Sequence, residues 1–113
     1  MGIGVAKPWG DSDRYDFIID AGGRLLRVQV KSAHCVCPQD GGYCVFGGSS
    51  STRQPYRVDE IDLLVAYIAP EDIWYVFPPH AFRTMTSVRL FPHHGHKISK
   101  HEQYREAWEW VYV

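Results

Sequence analysis

Residues 14–32 have the sequence RYDFIIDAGGRLLRVQVKS and predict two β-strands joined by a tight turn. The first strand is expected over residues 15–19, which are aromatic and β-branched, and the second over residues 24–30, with a continuation into Ala33. The connection between them ends in Gly22 and Gly23, which take positive φ without steric cost. We therefore expect a β-hairpin, and the other elements are placed relative to it.

The predicted second strand has one apolar and one polar face, because side chains alternate along a strand. The apolar face carries Leu26, Val28 and Val30, and the other face carries Leu25, Arg27, Gln29 and Lys31. Asp16 lies on the first strand. A carboxylate that faces an amide and an ammonium group on the neighbouring strand is suited to hold a metal ion against a phosphate. The alternative is an ordinary amphipathic hairpin whose polar side chains are only solvated.

The spacing of Asp16 from Gln29-Val30-Lys31 resembles the PD-(D/E)XK nuclease superfamily. In that superfamily an Asp on one strand precedes an acidic residue or Gln, any residue, and Lys on the next. The motifs RYD and VQVK are most similar to the group I intron-associated homing endonucleases of the superfamily. Three downstream pieces follow with the order and spacing of that family, so the resemblance covers most of the chain: PYRVDEIDLLVAY, IWYVFP and YREAWEW.

The resemblance implies a metal-dependent DNA endonuclease whose catalytic residues are Asp16, Gln29 and Lys31. The Asp16 carboxylate and the Gln29 side-chain oxygen are the implied ligands of Mg²⁺ (or Mn²⁺), and the backbone carbonyl of Val30 is the third. These oxygens suit a hard cation, which neutralises the phosphate and activates water. Lys31 would stabilise the developing charge or orient the water. Because Gln replaces Glu, we expect weaker metal binding or a carboxylate from elsewhere.

The implied fold class is α/β, a small restriction-endonuclease-like core that forms a single domain over residues 1–113. The expected core is a mixed β-sheet with the antiparallel hairpin, one crossover helix and a C-terminal helix. Similar proteins carry a helix ahead of the first strand, with a Glu that reaches the metal. We expect this chain to lack that helix, because residues 3–7 (IGVAK) already predict a strand. Oligomers, dimers or tetramers, are also expected, because cutting both DNA strands needs two sites.

Hydrophobic patterns place the remaining elements. Three further strands are expected: residues 43–46 as a third strand of a meander, residues 73–77 as a buried central strand, and residues 86–91. A helix is expected over residues 58–69, with Asp59 as N-cap and with an apolar face formed by Ile61, Leu64, Val65 and Ile68. A second helix is expected over residues 99–113, with a capping box between Ser99 and Glu102.

Basic residues are concentrated near the predicted site. The formal net charge of the chain is −1, yet residues 24–57 contain five basic residues and one acidic residue. A positive patch suits a DNA backbone, although charges also scatter unevenly on small surfaces. The side chains predicted to contact double-stranded DNA are those of Arg14, Arg27, Ser32, Arg53 and Arg57.

The composition excludes several classes of protein. No run of 18 apolar residues exists, so a transmembrane helix is not expected. The N-terminal residues lack the hydrophobic segment of a secretory signal, and the three cysteines do not suggest a secreted disulfide framework. The expected compartment is therefore the reducing cytoplasm.

Two further clusters of histidines and cysteines could be interpreted as metal sites. His34, Cys35, Cys37 and Cys44 could bind zinc, but the Cys-x-Cys spacing is tight and no CxxC pair exists, so we favour small apolar strand residues. The histidines at positions 93, 94 and 96 could bind a transition metal or touch phosphates, but in a loop they more often face solvent.

Two rival functions remain open at this stage. The first is a nuclease-like domain without catalysis that binds DNA or a protein partner, which the Gln at position 29 and the negative net charge favour. The second is an interaction module whose hairpin resembles a nuclease by chance. Lys31→Ala separates these hypotheses: loss of cleavage with DNA binding retained supports the enzyme, and weaker binding alone supports the DNA-binding domain. A chain that never binds DNA at moderate salt would be neither.

Overall fold

The structure, a computed structural model, describes residues 3–6, 17–39, 41–46, 54–93 and 100–112. In chain order the described strands are β1 (Ile3–Ala6), β2 (Phe17–Ala21), β3 (Arg24–Ala33), β4 (Tyr43–Phe46), β5 (Leu63–Ile68), β6 (Ile73–Phe77) and β7 (Ser87–Leu90). One helical turn, α1 (Pro79–Phe82), lies between β6 and β7. Two short 3₁₀ helices follow, at Glu102–Tyr104 and Trp108–Val111. None of the described helices has the length and apolar character needed to cross a membrane.

Five strands form the main sheet, in the order β1-β2-β3-β5-β6. All neighbouring pairs are antiparallel except β3 and β5, which are parallel. Strands β4 and β7 form a separate antiparallel pair. The predicted α/β class with a mixed sheet is confirmed, whereas the two predicted helices are not found where the sequence placed them.

The β2–β3 hairpin is the one that the sequence predicts. Phe17 pairs with Val28 and Ala21 with Arg24, which leaves Gly22 and Gly23 as a two-residue turn with φ of 65° and 90°. Two positive φ values are typical of the type I′ turns that follow strand twist. Strand β2 runs slightly further than predicted, because it includes Asp20 and Ala21. Strand β3 continues to Ala33, where the sequence also predicts its end.

The helix predicted over residues 58–69 is wrong, because half of this stretch is strand β5 and the rest is not helical. Its residues are buried on both faces of the sheet, apart from the half-buried Tyr67. Apolar side chains on both faces are typical of an interior strand with a parallel neighbour. The predicted N-cap, Asp59, lies instead in a turn over residues 58–60. In the described part of the connection from β3 to β5 the secondary structure is strand β4, and a crossover helix is not found there.

Strand β6 is confirmed, but it lies at the end of the strand order and not at its centre. The chain after residue 100 covers its free edge. The Glu106 amide donates a hydrogen bond of 2.7 Å to the Trp74 carbonyl, and Tyr75 forms an isolated antiparallel bridge with Arg105. Strand β6 is therefore buried although it has only one strand neighbour.

The predicted C-terminal helix is also wrong, since the two 3₁₀ helices are separated by extended backbone at Arg105. Glu106 has a φ of 50°, which a continuous α-helix does not allow. At Arg105 and Glu106, backbone hydrogen bonds to β6 thus replace the hydrogen bonds of an α-helix. Tyr104, Ala107 and Val111 face the core, whereas Trp108 is exposed. Ser99, the predicted cap, lies outside the described residues.

Strands β4 and β7 are confirmed near their predicted bounds, but β4 pairs with β7 and does not extend the meander. Their buried residues Tyr43, Val45, Val88 and Leu90 pack with Ala33, Leu64, Ala66 and Ile68 of the main sheet. The opposite face of the sheet has its own core, which contains Leu26, Val28, Val65 and Val76. The two faces of β3 are thus buried by different parts of the chain.

Candidate functional site

The polar face of β3 carries Gln29 and Lys31, as the sequence predicts. Both side chains are half-buried, and their partners on β5 are Leu64 and Ala66. Alternation along β3 places them on the face that carries the buried Ala33, so they lie where the main sheet meets the β4–β7 core. Two polar side chains beside two apolar partners form a localised polar site at the border of a core.

Tyr56 supports the amino group of Lys31. The Lys31 Nζ atom lies 5.4 Å from the centroid of the Tyr56 ring. The ring is only 4% exposed and belongs to the core between the sheets. A cation held over an aromatic face is attracted by the negative charge density of the ring. The Lys31 side chain is therefore held by a fixed group, which restricts the positions of its charge.

Gln29 turns its amide toward the main chain of the same strand. Its Nε2 atom donates a long hydrogen bond of 3.4 Å to the carbonyl oxygen of Val30. The nitrogen and the oxygen of a primary amide are nearly equal in size, and a half-turn of the group exchanges them. After that half-turn the Gln29 and Val30 oxygens would lie side by side. These are the two oxygens implied as metal ligands.

Several predicted site residues lie outside the described residues. They are Asp16, the predicted carboxylate ligand, and the predicted DNA-binding residues Arg14 and Arg53. The histidines at positions 94 and 96 also lie outside. The other six predicted site residues lie within the described residues. Gln29, Val30 and Lys31 lie together on β3, and Arg27, Ser32 and Arg57 have other partners.

Arg27, a predicted DNA-binding residue, is held by Asp62 at the start of β5. Its Nε atom lies 3.1 Å from Asp62 Oδ2, which also accepts a 2.7 Å hydrogen bond from the Arg27 amide. The guanidinium further donates to the Asp59 carbonyl. Burial alone would raise the pKa of Asp62, but the hydrogen bonds and charge of Arg27 outweigh it and hold that pKa below its ordinary value. Arg27 therefore joins β3 to the approach to β5.

This pair predicts a pH-dependent contribution to stability. Asp62→Asn is expected to lower the free energy of unfolding at pH 7 by about 1–3 kcal/mol, because it weakens charge-assisted hydrogen bonds. A carboxyl group whose pKa is lower in the folded than in the unfolded state stabilises the fold at pH values above its unfolded-state pKa. That stabilisation is lost as the pH falls through the folded-state pKa. The difference between the two proteins should thus be constant from about pH 7 to 5 and shrink below about pH 4.

Urea unfolding of both proteins at four pH values between 7 and 3 measures this effect. The exposed carboxylate of Glu109 provides the control, since Glu109→Gln should change stability by less than about 0.5 kcal/mol at every pH. If the difference in unfolding free energy between the wild type and Asp62→Asn stays the same down to pH 3, the charge of Asp62 is not what holds Arg27 to the segment before β5.

Arg57 and Ser32, the remaining predicted DNA contacts, are exposed. The Arg57 guanidinium binds both carboxylate oxygens of Asp59, at 3.0 and 2.8 Å. The Ser32 hydroxyl lies 3.2 Å from His34 Nε2. Asp59 neutralises the Arg57 charge, so this patch is less positive than the sequence alone suggests.

The alternative metal clusters gain no support within the described part of the chain. No group of three or more His, Cys, Asp or Glu side chains there is placed to hold a metal ion. The three cysteines are free thiols. His93 instead contacts Glu71 at 2.5 Å, and Tyr43 donates a 2.8 Å hydrogen bond to the same carboxylate. The hydrogen bond from His93 lowers the pKa of Glu71.

Tyr56 and Arg83 were not predicted from the sequence. Tyr56 is separated from Lys31 by twenty-four residues and reaches it only through the tertiary structure, in the core that borders β3. Arg83 follows α1 and shares a surface pocket with Tyr56. No motif in the sequence relates either residue to Gln29 or Lys31, because their proximity to the site arises only from the fold.

Comparisons with known proteins agree with the resemblance drawn from the motifs. Residues 1–111 match the family model described as PD-(D/E)XK endonuclease. A solved structure of a bacterial homing endonuclease, I-Ssp6803I, superposes with a TM-score of 0.86 at 34% sequence identity. The match covers 98% of this chain and 80% of the other. A search of curated proteins finds no match.

Proposed function

Because the chain belongs to the PD-(D/E)XK endonuclease family, we propose that it hydrolyses phosphodiester bonds of double-stranded DNA with Mg²⁺ or Mn²⁺. The observation that carries this proposal is the placement of Gln29 and Lys31 on one face of β3, with the Lys31 amine over the Tyr56 ring. The half-buried setting strengthens the field of Lys31 because water screens it less. A charge fixed in advance is what the stabilisation of a charged transition state needs.

The described donors fit a hard divalent cation. Gln29 and Val30 offer oxygens, and the Gln29 amide already lies 3.4 Å from the Val30 carbonyl oxygen. Adjacent oxygens around Mg²⁺ are about 3 Å apart, given metal–oxygen distances of about 2.1 Å at right angles. A bound cation would neutralise charge on the phosphate and lower the pKa of a coordinated water.

Asp16 is the third proposed ligand and supplies the negative charge that the amides lack. It directly precedes Phe17, the first residue of β2, whose partner is Val28. The spacing of Asp16 from Gln29-Val30-Lys31 resembles the PD-(D/E)XK motif. This resemblance supports the assignment of Asp16, Gln29 and the Val30 carbonyl to one metal site.

Lys31 is proposed to act on the phosphate or on the water. In hydrolysis, the water oxygen forms a bond to phosphorus while the bond from phosphorus to the leaving oxygen breaks. Negative charge grows on the phosphoryl oxygens and on the leaving oxygen. The ammonium group of Lys31 would stabilise that charge, and the Tyr56 ring would keep it in place.

A homing-type activity and an assembly of two or more copies extend this proposal. The solved structure similar to this chain is described as a homing endonuclease. Cleavage of both DNA strands needs two sites, and one chain offers one β3 site. A symmetric dimer or tetramer would present these sites in pairs.

A plasmid-nicking assay tests the proposal. The chain is expected to nick supercoiled DNA with Mg²⁺ or Mn²⁺ and to lose this activity in EDTA. Asp16→Ala should remove the activity with either metal ion, because the remaining proposed donors are neutral. The control is Asp20→Ala, which removes an exposed carboxylate at the hairpin turn and should leave nicking unchanged.

The results also decide between the enzyme and a nuclease-like DNA-binding domain. The neutral Gln29 favours the second candidate, because it removes a negatively charged metal ligand. DNA binding by the folded wild type without nicking at any metal concentration would support that candidate. Nicking that persists in EDTA would contradict the metal site.

A further inference from the structure

A surface pocket of about 450 Å³ lies beside the proposed site, between the turn over residues 58–60 and the end of α1. It is lined by Pro55, Tyr56, Arg57, Val58, Asp59 and Arg83. Hereafter it is called the Arg83 pocket. None of its lining residues belongs to the proposed metal site, so it is a separate feature of the surface.

Arg83 supplies the uncompensated charge of this pocket. Arg57 and Asp59 bind each other through two hydrogen bonds, so their charges largely cancel. The Arg83 side chain is exposed, and its guanidinium has no hydrogen bond or ion pair within the described residues. Only its amide is used, as a donor to the Pro79 carbonyl at the end of α1. The pocket thus retains one positive charge.

Tyr56 joins this pocket to Lys31. Its side chain lines the pocket, and its ring also carries the Lys31 amine at 5.4 Å from the centroid. Arg83 and Lys31 are therefore cations placed around a single buried aromatic side chain. The Arg83 pocket and Lys31 thus share Tyr56 as a common neighbour.

We propose that the Arg83 pocket binds a DNA backbone phosphate close to the one that Lys31 contacts, and that Arg83 is its ligand. This inference rests on the proposed nuclease function. A guanidinium presents a planar pair of donors that fits two phosphate oxygens. Contacts of this kind set the register of a protein on DNA and carry no sequence preference of their own. Arg83 thus positions the strand without touching the reacting atoms.

Salt-dependent binding tests the inference. The probe is a fluorescein-labelled duplex of mixed sequence, about 30 base pairs long, with Ca²⁺ replacing Mg²⁺ to slow cleavage. Arg83→Gln is expected to reduce the slope of log K against log salt by about 0.9, the value for one phosphate contact. At about 0.1 M salt this corresponds to a five- to tenfold loss of affinity. Arg83→Lys keeps the charge and should retain the slope.

Arg24→Gln is the matched control. Arg24 is an exposed arginine at the hairpin turn, does not line the Arg83 pocket, and precedes Lys31 by seven strand residues, or about 23 Å. Its substitution should leave the slope unchanged. The thermal midpoints of the variants should equal that of the wild type, since neither side chain is buried.

The outcomes separate this inference from the function on which it rests. If the wild type binds and nicks DNA but Arg83→Gln keeps the wild-type slope, the inference fails and the nuclease remains. Equal losses of salt slope and DNA affinity in Arg83→Gln and Arg24→Gln would mean that only the overall charge of the protein determines binding, which also overturns the inference. If the folded wild type does not bind DNA, both proposals fail.

Discussion

Replacing Lys31 with methionine is expected to lower the single-turnover rate of DNA cleavage at least about a hundredfold. Methionine keeps the apolar length of the side chain and can still pack on the Tyr56 ring, but it has no charge. The growing charge on the phosphate then loses the fixed cation. Binding of DNA should weaken by no more than about tenfold, because a single phosphate contact is lost.

Single-turnover cleavage with enzyme in excess separates these two effects, since the plateau rate then reports the chemical step. Lys31→Arg serves as the matched variant: it retains the charge, but its planar fork cannot occupy the position of a compact ammonium group. We expect it to bind DNA like the wild type and to recover only part of the rate. A Lys31→Met protein that cleaves at the wild-type rate would remove Lys31 from the mechanism.

The hairpin and its polar face could be predicted because the signals are local. The pair Gly22 and Gly23 fixes the turn, and the turn fixes which residues pair across it. Alternation along β3 then places Gln29 and Lys31 together without any knowledge of the rest of the fold. The motif that carries the family resemblance lies in this locally determined part of the chain.

Strand β5 could not be predicted in the same way. Ile61, Leu64, Val65 and Ile68 are spaced as on one face of a helix. A short apolar run fits a helix and a doubly buried strand equally well. The decision comes from tertiary structure, because β3 offers a parallel partner and the two cores cover both faces.

The contacts around the site also depend on tertiary structure. Arg27 meets Asp62 because the segment entering β5 lies alongside β3, and Lys31 meets Tyr56 because the connection that precedes β5 packs on the sheet. Arg27 and Arg57 are two arginines of the basic patch that the sequence predicts, but the sequence does not show that each has a carboxylate partner. Charge counted along a sequence therefore overestimates the charge that is available to DNA.

The stability of this arrangement depends most on Tyr75, in the middle of β6. Its ring is 0% exposed and stacks with Phe77 at a centroid distance of 6.4 Å. Its hydroxyl donates a 3.1 Å hydrogen bond to Glu102, which also pairs with Arg105. Tyr75 thus packs in the core that borders Lys31 and also holds the C-terminal segment on the edge of the sheet.

Tyr75→Ala is expected to lower the free energy of unfolding by about 3–5 kcal/mol, the usual cost of deleting a buried aromatic ring. This is a large part of the roughly 5–15 kcal/mol that stabilises a domain. Tyr75→Phe keeps the ring and should cost only about 1 kcal/mol, because Glu102 retains Arg105 as a partner. Urea unfolding at pH 7 measures both values.

Comparing Tyr75→Ala with Tyr75→Phe also separates the contribution of ring packing to stability from that of the hydroxyl group, which ionises at high pH. Burial is the main reason why the pKa of Tyr75 is raised from 10 to about 12. The hydroxyl thus favours the folded state below about pH 10, and this contribution is lost as pH rises toward about 12. The advantage of the wild type over Tyr75→Phe should shrink over that interval, whereas the larger deficit of Tyr75→Ala relative to Tyr75→Phe should persist. Equal stabilities of the two variants at pH 7 would show that the ring is not what fixes β6 between the core and the C-terminal segment.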